Sequence, residues 1–223
     1  MCNVPSTNSN AVADLTFGLI LSVARNIFNS ALNVKNNKWK PIIGCDVCYK
    51  TLGLLGFGAI AKNVAKRAKG FGMKVLVYDP YVNHIDDEFK SYVSLCSFDE
   101  VITNCDFLSI HMPLTNETRN AISGKEMSNM KKGSFIINTA RGSIVNENDL
   151  YDSLVSGHLA GAALDVVENE PIKEDNPLKS LDNVIITSHI GMYSKEAIGA
   201  VSLVCAQNVA AIINSQEVKY KVV

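Results

Sequence analysis

Residues 51–61 contain the feature that most constrains the fold, an apolar stretch, TLGLL, that runs into the glycine-rich turn GFGAIA. The pattern predicts a buried strand, a tight turn and then a helix. Gly56, Gly58 and Ala61 have the GxGxxA spacing of a nucleotide-binding strand–turn–helix unit. An acidic residue, Asp79, ends the next apolar stretch 23 residues after Gly56. Together these features predict a dinucleotide-binding βαβ unit.

The turn has the chemistry needed to bind a pyrophosphate. Gly56 permits the tight turn, and Gly58 lets the backbone approach the phosphates because it has no Cβ. The backbone amides of Ala59 and Ile60 begin a helix, where unpaired N–H groups and the helix dipole attract anions. We therefore expect these four residues to contact the pyrophosphate.

The acid at the end of the second strand indicates which dinucleotide binds. Asp79 can accept hydrogen bonds from both ribose hydroxyls, and its charge would repel a 2′-phosphate. The next residue is Pro80, where an NADP site would have an arginine. We predict NAD as the cofactor; the alternative is an ordinary solvated turn acid.

The apolar stretches alternate with helical patterns along the chain, which predicts an α/β fold with a Rossmann-type, doubly wound parallel sheet. Residues 1–190 would form the nucleotide-binding domain and residues 191–223 a C-terminal helical segment. We predict six strands, at residues 52–55, 74–78, 107–111, 135–139, 161–166 and 184–187.

The N-terminal region predicts one long helix over residues 10–32, because apolar residues recur there at helical spacing on more than one face. Two interpretations remain open. The helix belongs to the core of the domain, or a second copy of the chain covers part of it. The second interpretation predicts a homodimer that forms through the nucleotide-binding domain.

Composition excludes several classes of function. The 21 basic and 22 acidic residues nearly balance, so nothing indicates a nucleic-acid partner. No apolar run approaches the roughly 18 residues of a membrane-spanning helix, and no signal peptide begins the chain. The six cysteines predict reduced thiols and a cytoplasmic location. Cys45 and Cys48 form a CxxC without the further ligands of a zinc site, so we predict no metal.

Three later strand ends contain charged residues that could perform chemistry, in the segments NTARG, LDVVENEP and TSHIG. In open α/β sheets, ligands bind at the C-terminal ends of strands. Histidine suits the removal of a hydroxyl proton near neutral pH, and a carboxylate can orient its ring. A guanidinium can bind a substrate carboxylate. These segments supply Arg141, Glu170 and His189, the groups needed for hydride transfer on a hydroxy acid.

With these segments in place, the chain resembles the D-isomer-specific 2-hydroxyacid dehydrogenases, the family of D-3-phosphoglycerate dehydrogenase, glyoxylate reductase and D-lactate dehydrogenase. The resemblance covers residues 3–213. It includes residues 10–14 with Thr16 and Arg25, the glycine turn, residues 111–115 (HMPLT) with Thr118, and the three strand ends.

The resemblance implies a role for each matching residue. Arg141 would bind the substrate, Glu170 would be the partner of the histidine, and His189 would be the acid/base. Asp165 would hold the nicotinamide carboxamide. The implied cofactor-binding set is Thr16, Gly56, Gly58, Ala59, Ile60, Asp79, His111, Pro113, Thr118, Thr139, Ala140, Arg141, Asp165, His189 and Gly191.

Within this set, His111 would line the adenosine side, and Thr139 and Ala140 would line the nicotinamide pocket. The sequence departs from the family pattern at Ala59, where a basic residue is usual, and at Ser188, where proline is usual.

The resemblance also implies a substrate class and an architecture. The substrate would be a 2-hydroxy or 2-oxo acid, phosphoglycerate-like by general similarity. The substrate domain would be incomplete, with weak or no turnover by this chain alone. A non-catalytic NAD-binding protein, similar to the C-terminal-binding corepressors, is the alternative. Glu170 argues against a formate-type dehydrogenase, which lacks that acid.

Overall fold

The protein is described from a computed structural model that covers residues 2–218 and 220–222. Its centre is a seven-stranded sheet in which every neighbouring pair is parallel. The strands are β1 (Thr51–Leu55), β2 (Lys74–Tyr78), β3 (Val93–Leu95), β4 (Phe107–Ile110), β5 (Phe135–Asn138), β6 (Gly161–Leu164) and β7 (Val184–Ile186).

The strand order is β3-β2-β1-β4-β5-β6-β7, so the direction of winding reverses between β1 and β4. Such a reversal opens a crevice at the C-terminal ends of the two strands, where open α/β sheets bind ligands. The glycine turn follows β1 and therefore lies at this crevice. The predicted doubly wound parallel sheet is confirmed.

In residues 2–218 and 220–222, seven α-helices accompany the sheet, and several begin at a side-chain cap that the sequence supplies. Ser97 and Glu100 form a reciprocal capping box, while Asn146 and Ser194 each accept a backbone N–H. The helices are α1 (Ser9–Ala24), α2 (Ile27–Lys35), α3 (Ala59–Gly70), α4 (Phe98–Asn104), α5 (Gly124–Asn129), α6 (Glu147–Val155) and α7 (Lys195–Ile213).

The two faces of the sheet are covered by different helices. On one face, Ile20 of α1 and Val64 of α3 pack with the strands in a single buried cluster. On the other face, Ile102 of α4, Met127 of α5 and Leu150 of α6 form the second cluster. Strands buried on both faces must be apolar throughout, which explains why these stretches do not alternate with polar residues.

The prediction of one helix over residues 10–32 is wrong. The chain turns at Asn26, whose φ of 51° lies in the left-handed region, and α1 and α2 meet at a bend of 68°. Nine of the 16 residues of α1 are buried, among them Ala13 and Ile20, which are fully buried, so this helix packs into the core. All nine residues of α2 leave surface exposed. The two interpretations of this region therefore apply to different helices.

The sequence-based set of six strands missed β3. This strand has three residues, and only Val93 among them is buried, so it has no apolar run. It pairs with β2 at the edge of the sheet. Short edge strands are held by backbone hydrogen bonds, which leave no mark in the sequence.

Helix α7 is long and apolar enough to cross a membrane by length and composition, with a mean hydropathy of 1.6, contrary to the prediction that no segment meets this criterion. The bent pair α1 and α2 also passes when it is counted as one span. Because α1 belongs to the core, its apolar character has a structural cause. On α7, large apolar side chains are exposed, namely Ile198, Leu203, Val209, Ile212 and Ile213.

Candidate active site

The glycine turn at the end of β1 is shaped by the strand beside it. Gly56 has a φ of +92°, and a Cβ there would lie 2.8 Å from the carbonyl oxygen of His111. The Gly56 amide donates to the Tyr78 carbonyl at 2.7 Å. The turn is therefore tied to β2 and pressed against the end of β4, and only glycine fits.

Gly58 has a different reason to be glycine. Its φ of −74° is ordinary, and a Cβ there would meet no atom of the described residues within 4 Å. The protein leaves this space open at the N-terminus of α3. Ala59 and Ile60 border it, together with Ser9 and His111, in a hollow of about 230 Å³. This arrangement suits the close approach of a phosphate to the backbone.

Asp79 lies beside the turn, and backbone amides hold both of its carboxylate oxygens. One carboxylate oxygen accepts the Phe57 amide at 2.8 Å, and the other accepts the Tyr81 amide at 2.9 Å. An ionised carboxylate can accept about four hydrogen bonds, so both oxygens can still bind ribose hydroxyls.

A cleft of about 600 Å³ extends from Asp79 along the predicted adenosine side, and Pro113 and Thr118 line it. The Thr118 hydroxyl donates to the Pro113 carbonyl at 2.7 Å and so holds that wall. Sequence reasoning missed Glu117, which also lines the cleft. A hydrogen bond from Thr115 lowers the pKa of Glu117 below its ordinary value. Among the described residues, the lining includes no lysine or arginine.

His111 borders both the small hollow and the adenosine cleft. Its Nε2 lies 2.9 Å from the hydroxyl of Ser109, a fully buried residue of β4. Burial lowers the pKa of His111 to about 3. The ring is therefore neutral at physiological pH and adds no positive charge beside the glycine turn.

The loop after β5 contains Thr139, Ala140 and Arg141. The side chain of Asn138 closes this loop, since its amide donates to the Arg141 carbonyl at 2.9 Å and its oxygen accepts the Ala140 amide at 3.0 Å. Arg141 is exposed, and one guanidinium N–H donates to the Ala140 carbonyl at 2.6 Å. The remaining guanidinium donors are available for a substrate carboxylate.

The loop after β5 crosses the loop after β6 in close contact. A Cβ at Gly142 would overlap the Val167 carbonyl group, so the backbones touch there. This approach brings the segment that contains Arg141 beside the one that contains Glu170. Sequence reasoning assigned no role to Gly142.

Asp165 fixes the backbone of the histidine loop. It is 1% exposed, and it accepts hydrogen bonds from the Thr187 hydroxyl at 2.6 Å and from the amides of Ile190 and Gly191 at 2.8 Å each. The structure thus places Asp165 beneath His189. Its predicted contact with the nicotinamide carboxamide remains a prediction.

His189 and Glu170, the residues predicted to act as acid and base, form a hydrogen-bonded pair. The Nδ1 atom of His189 lies 2.7 Å from a Glu170 oxygen, and the other Glu170 oxygen accepts the Val167 amide at 3.2 Å. His189 has a φ of 56°, which costs about 1–2 kcal/mol for a side chain with a Cβ. The Asp165 carbonyl accepts the His189 amide at 2.9 Å and helps to hold this conformation.

Two features beside the pair differ from the sequence-based set. Thr16 is fully buried on α1, and its hydroxyl lies 3.0 Å from that of Thr139, so the structure places it behind the loop after β5. A hollow of about 640 Å³ adjoins His189 and Glu170, and Ile172 and Lys179 line it. The segment after Glu170 gave no signal that would have identified Lys179.

The fold and the C-terminal edge of its sheet define a dinucleotide-binding α/β domain with a histidine–glutamate pair at that edge. The glycine turn, the open space beside Gly58 and the carboxylate of Asp79 fit the binding of NAD. The sequence profile described as "D-isomer specific 2-hydroxyacid dehydrogenase, NAD binding domain" matches residues 17–191. The chain belongs to this family, whose cofactor is NAD.

The chain is also similar to individual proteins, both in sequence and in structure. The chain is 40% identical over 216 residues to D-3-phosphoglycerate dehydrogenase from Methanocaldococcus jannaschii, covering 96% of this chain and 41% of that protein. A crystal structure of a Thermus thermophilus protein has a TM-score of 0.93 at 34% identity, covering 100% of this chain and 71% of that one. D-lactate dehydrogenase with NAD⁺ from Lactobacillus jensenii has a TM-score of 0.88 at 26% identity, with the same coverages.

The chain spans 41% to 64% of the length of the first curated relatives that it matches.

The contact at Gly142 predicts a strong effect of a single methyl group. Gly142→Ala should destabilise the fold by about 1–3 kcal/mol, because the Cβ overlaps the Val167 backbone. Urea unfolding measures this. Gly199→Ala is the control, since a Cβ there meets no described atom within 4 Å, and helix α7 should gain about 0.5–1 kcal/mol. Equal stability of Gly142→Ala and the native protein would contradict the contact.

The low pKa of His111 predicts a pH-dependent stability. Folded His111 stays neutral down to a pKa of about 3, whereas the unfolded chain binds a proton below a pKa of about 6.5. The stabilisation is therefore complete above about pH 6.5 and is lost as the pH falls toward 3. His111→Gln should flatten the slope of unfolding free energy between pH 6 and 4 by up to about 1.4 kcal/mol per pH unit.

Urea titrations at several pH values measure this slope. His84→Gln, at an exposed position, should leave it unchanged. A slope that is the same for His111→Gln and the native protein would refute the lowered pKa of His111.

Proposed function

We propose that the chain is the NAD-binding part of a dehydrogenase that oxidises a 2-hydroxy acid, or reduces the corresponding 2-oxo acid. The observation that supports this proposal most directly is the contact of 2.7 Å between His189 and Glu170. The pair lies at the same sheet edge as the nucleotide turn, and Gly142 brings the Arg141 loop beside it.

Glu170, His189 and Arg141 each have a separate role in the proposed oxidation. Glu170 accepts a hydrogen bond from the Nδ1–H group of His189, which leaves Nε2 as the base for the substrate hydroxyl proton. Arg141 binds the substrate carboxylate through its remaining N–H groups. NAD, when bound, supplies the hydride acceptor. In the reverse direction, the protonated His189 returns its proton to the substrate oxygen.

For the substrate we propose a phosphoglycerate-like acid. The support is the 40% identity to D-3-phosphoglycerate dehydrogenase from Methanocaldococcus jannaschii. A panel of 2-hydroxy acids that includes 3-phosphoglycerate, glycerate and lactate distinguishes this substrate from its analogues.

We further propose that this chain binds NAD but turns over weakly by itself. The side chains of His189 and Glu170 are 49% and 38% exposed, so water reaches the groups that move the proton. Hydride and proton transfer are faster in sites that exclude water. A second wall over the cleft would supply that exclusion.

Replacing the histidine tests the proposed chemistry. His189→Gln should lower turnover by about 10²–10⁴-fold, because the general base is lost, while changing NAD affinity far less. Turnover is measured by NADH absorbance with the panel of acids in a longer protein that contains this chain, because the chain alone is expected to turn over weakly, and NAD affinity is measured by calorimetry. The exposed His84→Gln is the control and should keep native turnover.

The outcomes separate the two functions that the sequence left open. This chain and a longer protein that contains it could both bind NAD without turnover of any acid. That result would favour the non-catalytic NAD-binding protein. Failure to bind NAD would contradict both functions.

We also propose that two copies associate through α2 and the connector after it. Here we define the dimer patch as the exposed residues Ile27, Phe28, Leu32, Val34, Trp39 and Ile43. Trp39 is 89% exposed and Ile43 94% exposed. Apolar surface of this kind is typical of protein interfaces.

A charge in the dimer patch should separate the copies. Sedimentation should give a mass of two chains for the native protein and one chain for Trp39→Glu, because a buried charge without a partner opposes association. Val155→Glu on α6, where Val155 is 58% exposed, is the control and should stay dimeric. A native protein that sediments as one chain at all concentrations would exclude the dimer.

A further inference from the structure

Two buried hydroxyl groups join α1 to the nicotinamide end of the sheet. The Thr16 hydroxyl lies 3.0 Å from the Thr139 hydroxyl, although the two residues are 123 positions apart in the sequence. Thr16 is fully buried and Thr139 is 9% exposed. The hydroxyl of Thr16 therefore has no access to a ligand, and its effect must pass through Thr139.

The direction of the two hydrogen bonds follows from counting protons. The Thr16 hydroxyl donates its single proton to the Val12 carbonyl, at 2.8 Å. It can then only accept from Thr139, so the bonds run from Thr139 to Thr16 to the Val12 carbonyl. Within the described part of the chain, the Thr139 hydroxyl has no other hydrogen-bond partner.

Thr139 begins the loop that contains Ala140 and Arg141. The other side-chain hydrogen bonds of this loop lie within the loop itself, through Asn138, while Gly142 contacts Val167 at its far end and Ala140 packs against the second core cluster. The Thr139 side chain is thus its link to α1. The same turn of α1 reaches the histidine loop, since a Cβ at Gly191 would lie 3.4 Å from the Val12 side chain.

We propose that Thr16 is a positioning residue for the nicotinamide end of the cofactor site. It holds Thr139, and with it the start of the Ala140–Arg141 loop, against α1 without touching the cofactor. This inference rests on the proposed function, because it takes that loop as the nicotinamide wall. The adenosine end is built separately, around Asp79 and Pro113, and it does not depend on this link.

The separation of the two ends gives a test by binding alone. Thr16→Val removes the acceptor but nearly preserves the shape, and should weaken NAD binding about three- to tenfold, as expected for one lost hydrogen bond. ADP-ribose, which lacks the nicotinamide, should keep its affinity within about twofold. Thr16→Ser restores the hydroxyl and should restore NAD binding. Isothermal titration calorimetry with the two ligands measures both affinities.

Two further variants keep the test decisive. Thr103→Val on α4 removes a hydroxyl that donates four residues back, at 2.8 Å to the Asp99 carbonyl, and should leave both affinities unchanged. If Thr16→Val does not fold, Thr139→Val breaks the same bond from the other side and should give the same split between the ligands.

The outcomes distinguish this inference from the proposed function. Equal weakening of NAD and ADP-ribose would show a general structural role for Thr16 and overturn the inference. Unchanged NAD binding by Thr16→Val would overturn it as well. Failure of the native protein to bind NAD would instead overturn the proposed function on which it rests.

Discussion

The buried carboxylate of Asp165 determines how the sheet edge that carries His189 is built. Burying a carboxylate costs several kcal/mol unless hydrogen bonds compensate. Here three donors do so, and all three belong to the segment that surrounds His189. Satisfying the carboxylate therefore fixes the backbone that carries the histidine, including its left-handed φ. The hydrogen bonds that compensate for burying the Asp165 carboxylate therefore also orient the exposed side chain of His189.

The parallel sheet places the ordered histidine loop beside the other loops of the proposed site. Because all seven strands point the same way, the loops after β1, β5, β6 and β7 emerge at one edge. The nucleotide turn, Arg141, Glu170 and His189 come from segments far apart in the sequence, and the sheet brings them together. Gly142 then sets how closely two of these loops approach, because any side chain there would overlap the Val167 backbone. Rigid strands define the positions, and the loops supply the chemistry.

The sequence was informative wherever a structural requirement is local. The glycine turn, the apolar strands and the acid at position 79 each follow from neighbouring residues, and the structure has them as predicted. Prediction failed where the cause is not local. The edge strand β3 depends on backbone pairing with β2, and the break between α1 and α2 depends on a single residue, Asn26, in a left-handed conformation. Both α1 and α2 contain apolar residues at helical spacing, so periodicity alone could not separate a core helix from an exposed one.

The sequence by itself determined the class of fold, the cofactor and the three residues proposed for the chemistry, because strand pattern, turn glycines and strand-end residues are short-range signals. Only the tertiary structure decided how those residues are held. It showed that Asp165 supports the histidine loop, that Gly142 is a point of backbone contact, and that Thr16 lies behind Thr139. Each is a contact between segments distant along the chain, and such contacts arise when the sheet and α1 pack together. Neither the hydrophobic periodicity nor the spacing of motifs in the sequence predicts these contacts.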